Sequence, residues 1–105
     1  MKRIKLSLLL ALTLLPMHAM ANEWVNDTQI VQMGAYQHSP GHFVWLSSGV
    51  VSECQQVAPA NPSLHFSDDS AGGKAMLAII MTALVTKATV NVQVDGCDIV
   101  EVYLK

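Results

Sequence analysis

The stretch from Thr89 to Lys105, TVNVQVDGCDIVEVYLK, decides the fold of this chain. Valine occupies every second position from Val90 to Val94 with polar residues between, which is the alternation of a strand with one buried face. Asp95-Gly96 then supplies a two-residue turn, because glycine accepts the positive φ that tight hairpins need. A second alternation follows, with Val100, Val102 and Leu104 on one face. The stretch predicts a β-hairpin with Cys97 just after its turn.

The segment before the hairpin predicts a helix from Lys74 to Thr86. It contains no proline and follows Ser67-Asp68-Asp69-Ser70, a run of side chains that can cap a helix. Ala75 to Met81 is apolar on every face, whereas a surface helix carries one apolar stripe and a polar back. Either the sheet wraps around this helix or a second copy of the chain covers it, and the small size of the domain favours a second copy. The pattern therefore predicts a homo-oligomer that assembles through the helix Lys74 to Thr86.

The chain upstream of the helix predicts three strands, which are Trp24–Met33, Phe43–Leu46 and Val50–Val57. Gln37 to Gly41 predicts a turn between the first two, since proline and glycine preset turn dihedrals. Residues 58–63 contain two prolines, which deny a sheet its backbone donors and so predict a loop. Leu64 to Phe66 predicts only a short extended piece.

The chain contains two cysteines, Cys54 and Cys97, and both lie in the region that would be exported. Two cysteines in an oxidising compartment predict a disulfide. Closing a loop of this length stabilises a chain by ~4 kcal/mol in the loop-entropy model. A small core is marginal without such help. We therefore expect a structural bond that ties the hairpin to the predicted third strand.

Residues 1–21 predict a secretory signal peptide. Lys2, Arg3 and Lys5 precede an apolar run from Leu6 to Leu15, and Ala19-Met20-Ala21 has the small-x-small pattern of a cleavage site. The run is too short to cross ~30 Å of hydrocarbon as a helix, which disfavours a membrane anchor. We expect cleavage after Ala21, a single domain over 22–105 with no membrane span, and a location in the periplasm or outside the cell.

The charge balance restricts the class of partner. Residues 22–105 contain three lysines, eight acidic residues and no arginine, a formal net charge of −5. Nucleic-acid binders usually carry a basic face. Bidentate recognition of phosphate depends on arginine. Nucleic acid and phosphate-bearing ligands are therefore disfavoured.

The predicted elements follow the order strand-strand-strand-helix-strand-strand. This is the order of an OB-fold, a five-stranded Greek-key barrel, here with one apolar helix between strands three and four. The fold class is therefore α+β and mainly β.

A family resemblance covers Leu64 to Leu104, about half of the region 22–105. Its residues are Ser67-Asp68-Asp69, Gly73-Lys74, Ala83, Lys87, the alternating valines and Asp95-Gly96-Cys97. This stretch resembles a group of small exported bacterial proteins of unknown function. It is similar, more loosely, to the receptor-binding B subunits of AB5 toxins of the subtilase cytotoxin type. The resemblance implies a secreted, disulfide-bonded OB-fold pentamer whose helices line a central pore and whose barrels bind host glycans.

Aromatic residues are the candidate ligand-binding groups, namely Trp24, Tyr36 and Trp45, with Tyr103 as a further one. An aromatic face with a polar tip suits contact with a sugar or a peptide. Trp24 and Tyr36 lie near strand ends, so we expect them to be exposed. Core packing is the competing explanation for Trp45, which we expect to be buried.

The histidines and aspartates have structural explanations. His38 and His42 could ligate a metal together with His65 or an acid, but the intervening Ser39-Pro40-Gly41 favours exposed turn residues. Asp68 and Asp69 could act as paired carboxylates, yet their position before a helix favours capping.

No enzyme, catalytic residue, cofactor or metal site is predicted. Gly72-Gly73-Lys74 lacks the spacing of a phosphate-binding loop. Two functions stay open. One is a non-enzymatic, secreted or periplasmic binding module that recognises a glycan or protein surface as an oligomer. The alternative is a periplasmic structural or accessory protein without a small ligand.

Overall fold

The computed structural model describes residues 22–49, 51–57, 59 and 62–105. The predicted signal peptide, 1–21, lies outside the described residues, as do positions 58, 60 and 61 of the predicted loop 58–63. The elements, in chain order, are β1 (Glu23–Tyr36), β2 (Ser39–Leu46), α1 (Ser52–Val57), β3 (Leu64–Ser67), α2 (Ala71–Thr86), β4 (Thr89–Asp95) and β5 (Asp98–Leu104). The domain is mainly β, with five strands in one sheet and two helices.

The sheet closes on itself as a barrel in the order β1-β2-β3-β5-β4. Closure depends on the long strand β1, whose first half pairs with β4 and whose second half pairs with β2. A register shift between Val25 and Thr28, with Asp27 at a φ of 54°, lets β1 change direction. The pairs are antiparallel except for β3 with β5, which are parallel and meet at His65 and Asp98.

The predicted hairpin is confirmed as β4 and β5. Val90, Val92 and Val94 are fully buried, and Gly96 takes a φ of 62° in the turn. The predicted alternation is wrong in β5, where Ile99 and Val102 face the core. A register shift between Gln93 and Val94 inserts one extra residue in β5, so Val100 is exposed. Leu104 is also exposed, at the end of the strand.

Helix α2 begins three residues earlier than predicted, at Ala71. Ser70 is the N-cap, and its hydroxyl accepts a hydrogen bond from the Gly73 backbone N–H at 3.0 Å. Gly73, Ile80 and Ala83 are the buried positions of the helix, which packs against β1, β3 and β5. A Cβ at Gly73 would lie 2.0 Å from the Ser67 carbonyl oxygen. Glycine therefore allows the close approach of α2 to the end of β3.

The prediction of a third strand over Val50–Val57 is wrong, because Ser52–Val57 forms helix α1 and the third strand is β3. The Glu23 side chain of β1 explains the difference. Its carboxylate accepts hydrogen bonds from the backbone N–H groups of Ser52 at 3.0 Å and Glu53 at 3.1 Å. These are first-turn donors with no partner inside a helix. A cap supplied from a distant strand thus stabilises α1.

The disulfide between Cys54 and Cys97 is confirmed. It joins α1, rather than a strand, to the turn between β4 and β5. The predicted turn Gln37–Gly41 is also shorter than expected, since Ser39 already belongs to β2 and only residues 37 and 38 form the turn. No helix in the described part of the chain is long and apolar enough to span a membrane.

Candidate functional site

The outer face of β1 and β2 carries a cleft of about 280 Å³ that unites two of the predicted ligand-binding residues. We call it the Tyr36 cleft, and it is lined by Gly34, Ala35, Tyr36, Phe43, Trp45 and Ser63. Tyr36 and Trp45 belong to neighbouring strands, so the closed sheet fixes their separation. The structure therefore brings these two aromatic residues together in one concave surface.

Strand register explains why the aromatic side chains share the outer face. Phe43 lies opposite Gly34, and Trp45 lies opposite Gln32. Between them, Val44 points inward and is fully buried. Successive side chains of a strand point to opposite faces. Trp45 is consequently half-buried on the outer face, which corrects the expectation that it lies in the core.

Ring contacts give the cleft its shape. Tyr36 meets Phe43 edge to face, with the ring centroids 5.5 Å apart and an angle of 83°. Phe43 also contacts the His65 ring at 5.3 Å and 63°. A Cβ at Gly34 would lie 3.9 Å from Trp45 Cζ3, so the indole lies over a position without a side chain. Such contacts between aromatic rings hold the walls of the cleft in place.

Exposure and polarity determine what the cleft can bind. Tyr36 is 60% exposed, which confirms the expectation for this residue. Phe43 and Trp45 are half-buried and present ring surface, while the Tyr36 hydroxyl and Ser63 add polar atoms. Ligand sites commonly combine apolar and aromatic walls with a few polar groups. The arrangement suits a small ligand with one apolar face.

Phe43 was not predicted as a site residue, although the sequence contained a signal for it. It stands two positions before Trp45 in a predicted strand, and residues two apart share a face. His65 also flanks the cleft, and its Nδ1 lies 3.2 Å from Asp98 Oδ1. His65 and Asp98 meet only through the pairing of β3 with β5, which no local sequence pattern indicates.

The third predicted aromatic residue, Trp24, lies apart from the Tyr36 cleft and contacts Tyr103 instead. The two ring centroids are 5.9 Å apart and the rings are tilted by 30°. Trp24 is 46% exposed, as expected, and Tyr103 is 50% exposed. The four aromatic candidates therefore divide into two surfaces.

Polar side chains hold the Trp24–Tyr103 pair. The Tyr103 hydroxyl donates to Glu101 Oε1 at 2.8 Å. The hydrogen-bond network orients the Gln93 amide so that its oxygen accepts from Trp24 Nε1 at 3.3 Å and its nitrogen donates to Glu101. The hydrogen bond to Glu101, together with the charge of that carboxylate, raises the pKa of the Tyr103 phenol.

His42 and Asp68 form a buried structural contact. His42 was expected in an exposed turn, but it lies in β2 and is only 8% exposed. Its ring stacks on Phe66 at 4.9 Å, and its Nε2 lies 2.7 Å from Asp68 Oδ2. Asp68 therefore contacts β2 rather than capping α2, the role that Ser70 fills.

The three histidines considered as metal ligands are not brought together, since His38 lies in the turn after β1. Within the described ranges, no group of three or more His, Cys, Asp and Glu residues could hold a metal ion.

The chain was compared with protein families, curated proteins and solved structures. No protein-family model matches the chain, and neither a curated protein nor a solved structure matches it.

Proposed function

We propose that this chain is an exported, non-enzymatic binding module of the OB-fold class that recognises a glycan through the Tyr36 cleft. The observation that carries the proposal is the meeting of Tyr36, Phe43 and Trp45 around one outer-face cleft. Sugar rings have apolar C–H faces that pack on aromatic rings, and their hydroxyl groups bond to polar tips such as a phenol. The cleft offers both kinds of surface.

The position of the cleft supports the OB-fold part of the proposal. OB-folds bind oligosaccharides and oligonucleotides on the face of strands two and three, beside the loops that follow strands one and four. The Tyr36 cleft uses β2, adjoins the turn after β1, and is flanked by His65 of β3. The strand order and the placement of α2 between β3 and β4 also agree with that fold.

Size and charge narrow the class of ligand. A volume of about 280 Å³ lies just below the range of typical ligand sites, which is roughly 300–1,000 Å³. We therefore propose that one or two sugar rings occupy the cleft. Residues 22–105 carry eight acidic residues and no arginine, so an acidic sugar would meet repulsion and no bidentate partner. A neutral glycan is the better complement.

We propose export from the signal-peptide pattern of residues 1–21. The Cys54–Cys97 disulfide is compatible with an oxidising compartment. We propose the periplasm or the cell exterior as the place where the module meets its glycan. Blocking cleavage with Ala19→Leu and Ala21→Leu should make the precursor accumulate in cells. A mature form that starts elsewhere than Asn22 would contradict the proposed boundary.

We propose that the chain forms a homo-oligomer, because the exposed side of α2 is apolar. Met81 is 48% exposed and Val85 is 79% exposed, and Ala75 and Ala78 continue the same apolar face. A second copy of the chain would cover this face. Light scattering on residues 22–105 tests it, because a monomer would have a mass of about 9 kDa, in proportion to 11.4 kDa for the full chain.

A matched pair of variants tests where the copies meet. Val85→Lys on α2 should lower the assembled mass, whereas Val100→Lys, at an exposed valine of β5, should leave it unchanged. A purified domain that stays a monomer at high concentration would contradict the proposed homo-oligomer.

A glycan array probed with residues 22–105 tests the function. We expect binding to neutral glycans, followed by a loss of at least roughly tenfold in affinity for Tyr36→Ala, which removes a cleft wall. Tyr103→Ala is the matched control, because it removes a tyrosine of similar exposure from the other aromatic surface. Equal losses of glycan affinity from both variants would contradict the Tyr36 cleft as the binding site. If the protein forms the oligomer but binds no glycan on the array, the alternative is favoured, which is an accessory protein without a small ligand.

A further inference from the structure

We propose that the outer face of β1, β4 and β5 carries a second ligand site, for an organic cation of the methylated-ammonium class. The site is the Trp24 platform, made of Trp24, Gln93, Glu101 and Tyr103. It is separate from the Tyr36 cleft, and it does not depend on the glycan proposal.

The sheet register builds the platform. Trp24 lies opposite Gln93, and Gln93 lies opposite Glu101, so these three residues form one row across three strands. Tyr103 stands two positions after Glu101 and therefore shares its face. The row lies within a closed sheet, which fixes the spacing of the side chains before a ligand arrives. A preformed site loses little conformational freedom on binding.

The internal hydrogen bonds determine which atoms remain for a ligand. The indole N–H of Trp24 donates to Gln93, and the Tyr103 hydroxyl donates to Glu101. One Gln93 amide hydrogen is also committed to Glu101. The strongest donors of the platform are thus used internally. Two aromatic faces, the remaining carboxylate lone pairs and the phenol oxygen face a ligand, and all of them are electron-rich.

The charge of Glu101 is uncompensated. Across the described residues, the ion pairs are His42–Asp68, His65–Asp98 and Lys105–Asp27. Lys105 is the nearest lysine in sequence, but Asp27 already holds its ammonium group. A carboxylate beside two aromatic faces attracts a cation both by its charge and through the ring quadrupoles.

Hydration favours a methylated ammonium over other ligands. A primary ammonium is a compact, strongly hydrated charge, so it loses much hydration at a half-exposed surface. Methyl groups spread the charge and let the cation pack on the Trp24 and Tyr103 rings. A sugar hydroxyl can donate a hydrogen bond to the Glu101 carboxylate, but a neutral sugar leaves the charge of that carboxylate unneutralised. The cation is therefore the better complement.

A groove next to the platform has room for the rest of such a molecule. It has a volume of about 470 Å³, and Glu101 and Tyr103 form part of its lining together with Ser67, Ser70 and Met76. These residues come from β5, the end of β3 and the start of α2. A ligand whose ammonium group lies at Glu101 could thus extend towards α2.

Choline chloride is the probe, and its neutral isostere 3,3-dimethylbutan-1-ol is the control. The indole N–H resonance of Trp24 in residues 22–105 is followed by NMR during each titration. We expect choline to shift this resonance and to bind at least roughly tenfold more tightly than the isostere, because only choline carries the charge. Added sodium chloride should weaken choline binding by screening the charge.

Variants separate this site from the Tyr36 cleft. Glu101→Gln keeps an acceptor for Tyr103 but removes the charge, and should weaken choline binding roughly threefold to fivefold. Trp24→Ala should abolish it, as read from the backbone amide of Asn91, which lies opposite Tyr103. Tyr36→Ala should leave choline binding unchanged. Equal affinity for choline and the isostere would overturn the proposal. So would an indole N–H resonance of Trp24 that does not shift at the highest choline concentration that stays in solution. Neither result bears on the glycan array.

Discussion

The inner and outer faces of the same strands carry different kinds of residue. On the inner face, Val44, Val90, Val92 and Val94 are fully buried. On the outer face of the sheet, in β1, β2 and β5, the aromatic candidates are half-buried or exposed. One group loses water contact on folding and holds the sheet closed, while the other keeps ring surface available to a ligand.

Because the two faces carry different residues, stability and binding can be changed separately in this domain. A residue and its immediate neighbour, such as Val44 and Trp45, point to opposite faces and so belong to different functions. Substitutions on the inner face should change the free energy of unfolding. Substitutions on the outer face should change ligand affinity and leave the fold nearly as stable.

The largest effect on stability should come from the disulfide. Replacing Cys54 and Cys97 with serine should lower the free energy of unfolding by ~4 kcal/mol, because the open chain regains loop entropy in the unfolded state. Urea unfolding of residues 22–105 measures the change, with the reduced wild type as the control. An unfolding midpoint that does not move would show that the bond is not a stabilising link.

The next largest effect on stability should distinguish an inner-face substitution in β2 from an outer-face substitution in β1. Val44→Ala removes two buried methyl groups and should cost about 2–3 kcal/mol of unfolding free energy, including the cavity that remains. Tyr36→Ala, on the outer face, should cost less than about 1 kcal/mol. Thermal unfolding of both variants tests the comparison. It fails if Tyr36→Ala destabilises the domain as much as Val44→Ala.

Adjacent glycines in the first turn of α2 provide a sharper contrast, since the expected effects have opposite signs. Gly73→Ala should destabilise the domain by roughly 1–3 kcal/mol, because the new Cβ would overlap the Ser67 carbonyl. Gly72→Ala meets no atom within 4 Å and should stabilise the helix by about 0.5–1 kcal/mol. Chemical denaturation of the two variants measures both changes, and a Gly73→Ala variant as stable as the wild type would refute the close contact.

The smallest effect concerns Glu23, whose carboxylate lies at the surface and caps α1. Hydrogen bonds from the backbone of Ser52 and Glu53 lower the pKa of Glu23 below its usual 4.5. The folded state therefore binds this proton less readily than the unfolded state. The stabilisation is present above the unfolded pKa and is lost as the pH falls through the folded pKa.

Unfolding of the wild type and Glu23→Gln, compared between pH 7 and pH 3, measures the effect. The wild type should be slightly more stable at pH 7, and its advantage should shrink in acid. A constant difference across this range would argue against the cap.

Sequence patterns predicted the parts of the fold that depend on local order. The hairpin, α2 and the disulfide follow from alternation, capping residues and cysteine count. Helix α1 was missed because its cap, Glu23, comes from a strand that lies far away in the sequence. The bulge that exposes Val100 arises from pairing between β4 and β5, and no single-strand pattern reveals it.

The candidate site was predictable in part for the same reason. Exposure of Trp24 and Tyr36 followed from their position near the ends of the predicted strand. Their separation into two surfaces did not, because Trp24 meets Tyr103 only through the pairing of β1 with β4 and of β4 with β5. The outward direction of Trp45 was misjudged, since alternation alone does not say which of two neighbouring apolar residues faces the core.

The most direct test of the central claim is an NMR map of residues 22–105 titrated with the neutral glycan that binds best on the array. We expect backbone and side-chain shifts to concentrate at Tyr36, Phe43 and Trp45, and Tyr36→Ala to remove them. Shifts confined to other parts of the domain, or none with any neutral glycan, would contradict the Tyr36 cleft as the binding site.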